Sequence, residues 1–369
     1  MFARRNIQLA LVLLLVPLSF FGAQGSAQPP LTLPSQSGDK TAEQVYKNIQ
    51  VLKDLRGSEL DGVMQFMCAS LGVGCTYCHT NPWDSDTKSA KQAARRMISM
   101  MRSINNDHFN GNPAVTCYTC HRGQHNSVPN PPADIANRAE DATSPAKAAA
   151  LPSADEIVTR YIRAIGGDAS IKKVKTRISR GTETTTNRMT PPQPCEIEIH
   201  ETTTGKLLTL RKGPRVSVEE AFDGAKGWTK DARGLRQVEG KQLAEITQGA
   251  DLLRYVNLRA TYPQMRVLAQ EPVGNRGAYV VGATSPDDSR EKLYFDIETG
   301  LLIRKLVSFK TAFGTIPEVT DFEDYREVNG LKLPFTITWS RPPFGFIRKF
   351  TDIKLNIPID DSRFSLQAK

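Results

Sequence analysis

Histidine is scarce in this chain, five in 369 residues, and after residue 152 only His200 remains. That stretch contains no Ser-His-Asp set, no cluster of metal-ligating residues and no glycine-rich phosphate loop, which excludes the commoner hydrolase, metalloenzyme and nucleotide-binding chemistries there. No basic run is interleaved with aromatics, so the formal charge of +9 does not mark a nucleic-acid surface. No apolar run is long enough for a comfortable membrane span: Leu9 to Phe21 falls short of the ~20 residues a spanning helix needs. With Arg4 and Arg5 before it and Gly25-Ser26-Ala27 after it, this run reads as a secretory signal peptide, residues 1–27. No cysteine lies near the expected cleavage site, which excludes a cysteine-borne lipid anchor; an uncleaved signal would tether the chain to the membrane. Residues 28–40 read as a flexible N-terminal segment.

What is present is a pentapeptide repeated. Cys75-Thr76-Tyr77-Cys78-His79 and Cys117-Tyr118-Thr119-Cys120-His121 both follow Cys-x-x-Cys-His, the pattern of covalent c-type haem attachment. Thiols three residues apart share one helical turn and reach the two vinyl groups on one porphyrin edge, while the next residue offers its imidazole to the iron. Two haem c groups are therefore expected, on Cys75 and Cys78 and on Cys117 and Cys120, with His79 and His121 as axial iron ligands. A zinc ribbon places its cysteine pairs about 15–20 residues apart, closer than Cys78 is to Cys117, and thioredoxin-like pairs explain neither histidine. Covalent haem attachment takes place outside the bacterial inner membrane, so haem and signal peptide point to the periplasm.

Residues 126–152, rich in Pro and Ala, read as a semi-rigid linker between a cytochrome domain, 41–125, and a β-rich domain, 153–369. The fold class expected is α + β in two domains, helical first and antiparallel second. Three helices are expected before the linker. Thr41 caps one bearing Val45, Ile49, Leu52 and Leu55; Ser58 and Asp61 open a second bearing Leu60, Met64, Met67 and Leu71. A third starts near Ser85 or Asp86, carries Ala93, Met97, Met101, Ile104 and His108 on one face, and stops at Gly111 and Pro113. The unit is helix, turn, haem motif, twice. A methionine on each preceding helix can reach across the ring to the sixth iron position; spacing alone leaves Met64 in competition with Met67, and Met97 with Met100 and Met101.

The stretches Asn48-Ile49-Gln50-Val51-Leu52-Lys53-Asp54-Leu55, Ala94-Arg95-Arg96-Met97-Ile98-Ser99-Met100 and Val115 to Gly123 resemble the cytochrome c subunit of photosynthetic reaction centres. In that family each haem is preceded by a helix that supplies the axial Met, and the resemblance implies Met64 for the first haem and Met97 for the second. The family carries four haems and a further histidine ligand that would align near Gly111. This chain has one pair of motifs and lacks that histidine, and His108 is not its equivalent. The resemblance covers about residues 41–125 and implies one dihaem half, in respiratory rather than photosynthetic electron transport.

After the linker, Ser153 or Asp155 opens a helix that ends at Gly166-Gly167. Strands then dominate, with hairpins at Asn329-Gly330 and at Glu298-Thr299-Gly300. The segments Phe222-Asp223-Gly224, Tyr294-Phe295-Asp296 and Asp324-Tyr325-Arg326, each followed by a spaced glycine, resemble the half-barrel of periplasmic lipoprotein carrier and sorting proteins. That resemblance implies a curved sheet around a groove for an apolar ligand. Cys68 reads as a buried residue near haem, Cys195 as a loop residue.

With His and Met on both irons the sites are closed, which favours one-electron transfer over peroxide chemistry and makes the chain an electron carrier rather than an enzyme. Its partners are then redox donor and acceptor proteins, membrane-bound ones among them. Two other readings compete. A dihaem peroxidase or reductase needs one open iron, with His108 or His125 as acid-base groups, and a lipid-binding protein would use the haems as its redox module.

Overall fold

Local hydrogen bonding decides where the first helices begin and end. The computed structural model describes residues 40–130, 151–186, 191–214, 216–285 and 290–365. The expected signal peptide, residues 28–39 and residues 131–150 of the expected linker lie outside the described residues. Helix α1 (Ala42–Val45) is capped by Thr41 and Gln44 but does not run on to Leu55 as expected. Asn48 adopts a left-handed conformation (φ 58°), and its amide donates to Asp84 O at 2.6 Å and to Asp86 Oδ1 at 2.9 Å. These long-range bonds hold the chain irregular there, although Leu52 and Leu55 still reach the core.

Helix α2 (Leu60–Leu71) ends at Gly72, whose left-handed conformation stops it just before the first motif. Val63, Phe66 and Ser70 are buried, while Met64, Met67 and Leu71 are half-buried. Helix α3 (Ser89–Phe109) starts later than expected because Asp86 is held in the preceding loop by Arg95 (2.8 Å) and Lys91 (3.3 Å). Asn110 and Gly111, both left-handed, end it. Helix α4 (Cys117–His121) is the second motif itself.

The second part is α + β with all its strands antiparallel. Thirteen strands among the described residues form one sheet. Strands β1 (Thr176–Thr185) to β6 (Gly234–Val238) run outward in succession. Strands β7 (Gln264–Val273) to β13 (Phe344–Leu355) run back from the other edge until β13 pairs with β1. Both expected hairpins are present. Asn329 (φ 51°) and Gly330 (φ 80°) make the tight turn between β11 (Gly314–Val328) and β12 (Leu331–Arg341), where Leu331, Leu333 and Phe335 are buried.

Helix α5 (Ala154–Ala164) covers the apolar face of this sheet. Ser153 caps it, its hydroxyl accepting from Glu156 N at 3.2 Å. Its residues Ile157, Val158, Tyr161 and Ile162 share one core with Ile197, Leu293, Phe295, Leu302, Leu331 and Phe350. Gly166 (φ 120°) sits so close to the Asn329-Gly330 turn that a Cβ would lie 2.1 Å from Gly330 O, so only glycine fits. Cys195 is buried in β2 (Pro194–Thr202), which corrects the loop expectation.

Candidate functional site

Both Cys-x-x-Cys-His segments fold as the single helical turns that their spacing demands. The first is a 3-10 turn over Cys75–Tyr77, closed by Cys78 N to Cys75 O (3.2 Å) and His79 N to Cys75 O (3.1 Å). The second is α4, where Thr116 caps the turn and its N–H donates to Thr119 Oγ1 at 3.0 Å. Burial pushes the Cys78 and Cys117 thiols up. Cys68, one turn beyond Met64 on α2, lies beside Cys75; burial, and then Cys75 itself, pushes its thiol up to about 12.

The two histidines are held alike. His79 Nδ1 donates to Trp83 O at 2.9 Å, and His121 Nδ1 donates to Gln124 O at 3.1 Å. A carbonyl can only accept, so each bond fixes the proton on Nδ1 and leaves the Nε2 lone pair free. This is the arrangement an iron-ligating imidazole needs, with the second nitrogen orienting the ring. The side chains present therefore fit a c-type haem at each motif. A cavity of about 530 Å³ opens against the first motif, between Val73, Gly74, Thr76 and Tyr77 on one side and Lys88, Ser89 and Ala90 on the other.

The methionines separate by burial. Met101 is 8% exposed and belongs to the helical core with Ile98, whereas Met97 and Met100 are each 49% exposed. This corrects the expected face of α3: the buried stripe is Ile98, Met101 and Asn105, with Met97 and His108 outside it. Met97 and Met100, three residues apart, share a solvent-facing surface free for another group to cover. Met64 and Met67 are alike in burial, each half-buried beside the core.

Several supporting residues have no counterpart in the motif reading. Asn105 is buried and grips the backbone ahead of α4, donating to Val115 O (2.8 Å) and accepting from Val115 N (2.9 Å). Arg95 ties α3 to Asp86 and to Asn48 O (3.2 Å), and with Asn48 it holds the Asp86 carboxyl well below the usual carboxylate range. Gly123 N donates to Ser70 O at 2.8 Å, joining the end of the second motif to α2, the helix beside the first. An Asn four residues from a core Met was the one available clue to Asn105; the carbonyls of Trp83 and Gln124 leave no trace in residue type. In the sheet, His200 is buried, with Nε2 donating to Glu198, and burial lowers its pKa.

Residues 21–160 match the family described as photosynthetic reaction centre cytochrome C subunit. The photosynthetic reaction center cytochrome c subunit of Thermochromatium tepidum is 43% identical over 110 residues, covering 28% of this chain and 26% of that protein. Its counterpart in Roseobacter denitrificans is 39% identical over 101 residues, 24% of this chain and 27% of that protein. Cytochrome c-554 of Chloroflexus aurantiacus is 36% identical over 89 residues, 22% of this chain and 21% of its own. The chain thus spans about a quarter of the length of the curated relatives it matches. Among solved structures, a LolA superfamily protein from Nitrosomonas europaea covers 58% of this chain and 98% of itself, at 13% identity and a TM-score of 0.42. No helix among the described residues is long and apolar enough to cross a membrane.

Proposed function

We propose that this chain is an exported c-type cytochrome that carries two haems and exchanges single electrons with redox proteins in the periplasm. Cys75 and Cys78, and Cys117 and Cys120, would hold the two groups through thioether bonds, and His79 and His121, with Met64 and Met97, would supply the iron ligands. Haem bound there would supply one-electron exchange. The chain's own residues orient and shield. Trp83 O and Gln124 O fix the imidazole tautomers, Asn105 and the Ser70 carbonyl hold the second motif against α2 and α3, and Met97 offers an exposed thioether on α3.

The observation that carries this reading is the matched pair of Nδ1-to-carbonyl bonds, which leaves Nε2 of both motif histidines for a metal. The relatives named as cytochromes support haem-based electron transfer rather than catalysis. The test is the visible and near-red spectrum, with haem content per chain, of protein matured alongside c-type haem machinery. Two haems are expected, with a Met-to-iron charge-transfer band unmoved by carbon monoxide. Replacing Cys75 and Cys78, or Cys117 and Cys120, by serine should leave one haem each time. High-spin features or carbon monoxide binding would sink the closed-site reading, and unchanged haem content in either pair of substitutions would sink the dihaem assignment.

A further inference from the structure

The sheet reaches into the helical core through one of its hairpins. β10 (Leu302–Thr311) and β11 form a hairpin whose Phe309, Phe313 and Ile316 join the same apolar cluster as Leu60, Val63 and Phe66 of α2. The approach is close. A Cβ on Gly314 (φ 146°) would come within 2.7 Å of Phe66 Cε2, so the phenyl ring lies directly against that glycine. A Cβ on Gly62 would meet Thr311 Cγ2 at 3.6 Å and Phe309 Cε1 at 3.8 Å. Gly62 and Phe66 are one helical turn apart, so the hairpin runs along a single stripe of α2. At about 100° per residue, Met64 is turned about 200° from Gly62. The hairpin packs on the Gly62–Phe66 stripe of α2, and Met64 borders the same apolar cluster.

We infer that the hairpin 309–316 is a positioning element for the first haem site, with Gly62 and Gly314 setting how closely α2 rests on the sheet and hence where Met64 is presented. This rests on the reading of Met64 as an iron ligand. An iron–sulfur contact tolerates little displacement, and a ligand placed 1 Å too loosely by its supporting shell is present but ineffective. Met64 is carried on a twelve-residue helix that interior packing holds at low compressibility, so a spacer between Gly62 and Thr311 must move the helix as a body. The β-rich part of the chain thereby acts on the redox site itself.

The experiment uses the full haem-loaded chain and four variants. Met64→Ala tests the ligand. Gly62→Leu wedges α2 off the hairpin, Gly62→Ala is the conservative control that fits at ordinary contact distance, and Phe313→Ala loosens the same contact from the sheet side. The readouts are the near-red charge-transfer band, the two midpoint potentials and the thermal unfolding curve. Met64→Ala and Gly62→Leu should each remove the first haem's share of the band, about half of it, and shift one potential only. Gly62→Ala should keep the full band, and Phe313→Ala should weaken the same half. If Met64→Ala halves the band while folded Gly62→Leu and Phe313→Ala keep it whole with both potentials unmoved, the hairpin is mere packing and the inference fails while the ligand reading stands. If Met64→Ala leaves the band intact, the ligand reading fails and takes the inference with it. Should Gly62→Leu not accumulate folded, Phe313→Ala decides by the same readouts.

Discussion

Eight large apolar side chains of the helical segment stand exposed: Val45, Tyr46, Tyr77, Trp83, Met97, Met100, Phe109 and Tyr118. Elsewhere among the described residues only Leu151 and Ile357 do. The sheet behaves in the opposite way and buries even its charges. Glu183 is 4% exposed, between Arg348 (2.8 Å) and Arg211 (3.0 Å), and Arg211 continues to Glu220 at 2.5 Å across β1, β3 (Leu207–Gly213) and β4 (Val216–Phe222). The sheet pairs these buried charges with one another. The helical segment leaves apolar side chains exposed in and near both Cys-x-x-Cys-His turns, surface that the proposed haems would cover. The difference shows why one sequence can look complete in one half and unfinished in the other.

The largest expected effect would break the sheet's side of this contrast. Glu183→Ala takes the ion-pair partner from Arg348 and leaves Arg211 to Glu220 alone, and should cost roughly 3–5 kcal/mol in denaturant unfolding of the haem-loaded protein. A loss under about 1 kcal/mol would mean that water reaches the ladder, at the median value of a surface pair. The same carboxylate gives a pH test. Burial alone would raise the Glu183 pKa, but Arg348 and Arg211 outweigh it and hold it lowered. Its contribution is therefore full above the unfolded value of about 4.3 and disappears as pH falls through the lower folded value. Acid unfolding of Glu183→Gln should be shallower in that window than that of the parent.

A smaller effect sharpens the helical side. Asn105→Ala leaves the Val115 N–H and C=O without their partner and should cost roughly 1–3 kcal/mol. The loss should appear first in the second haem's absorbance under urea; equal sensitivity of both haems would show that α3 supports them as one unit. The smallest effect belongs to the sheet's helix. Ser153→Ala removes an N-cap and should cost about 1 kcal/mol, lowering the thermal midpoint with no change in the haem spectrum. A spectral change there would mean that the two halves are coupled beyond the hairpin 309–316.

Much of this was legible in the residues because it is local. The Cys-x-x-Cys-His turns, the Ser153 cap, the Gly72 stop and the Asn329-Gly330 hairpin each depend on hydrogen bonds or backbone angles within four residues, and the chain alone determines them. The faces of α3 were not legible. Apolar periodicity placed Met97 with Met101, but Asn105 takes the inward position by gripping Val115, and that rotates Met97 outward. Nor could residues 46–55 be recognised as irregular, since the bonds from Asn48 that hold them so end at Asp84 and Asp86. Cys195 became a core residue only when β2 paired with β1 and β3. Tertiary structure alone decided that a hairpin some 250 residues along the chain would lie against Gly62 and Phe66, because shape complementarity between distant surfaces depends on where glycines let two backbones approach, and no period or motif in the chain encodes that distance.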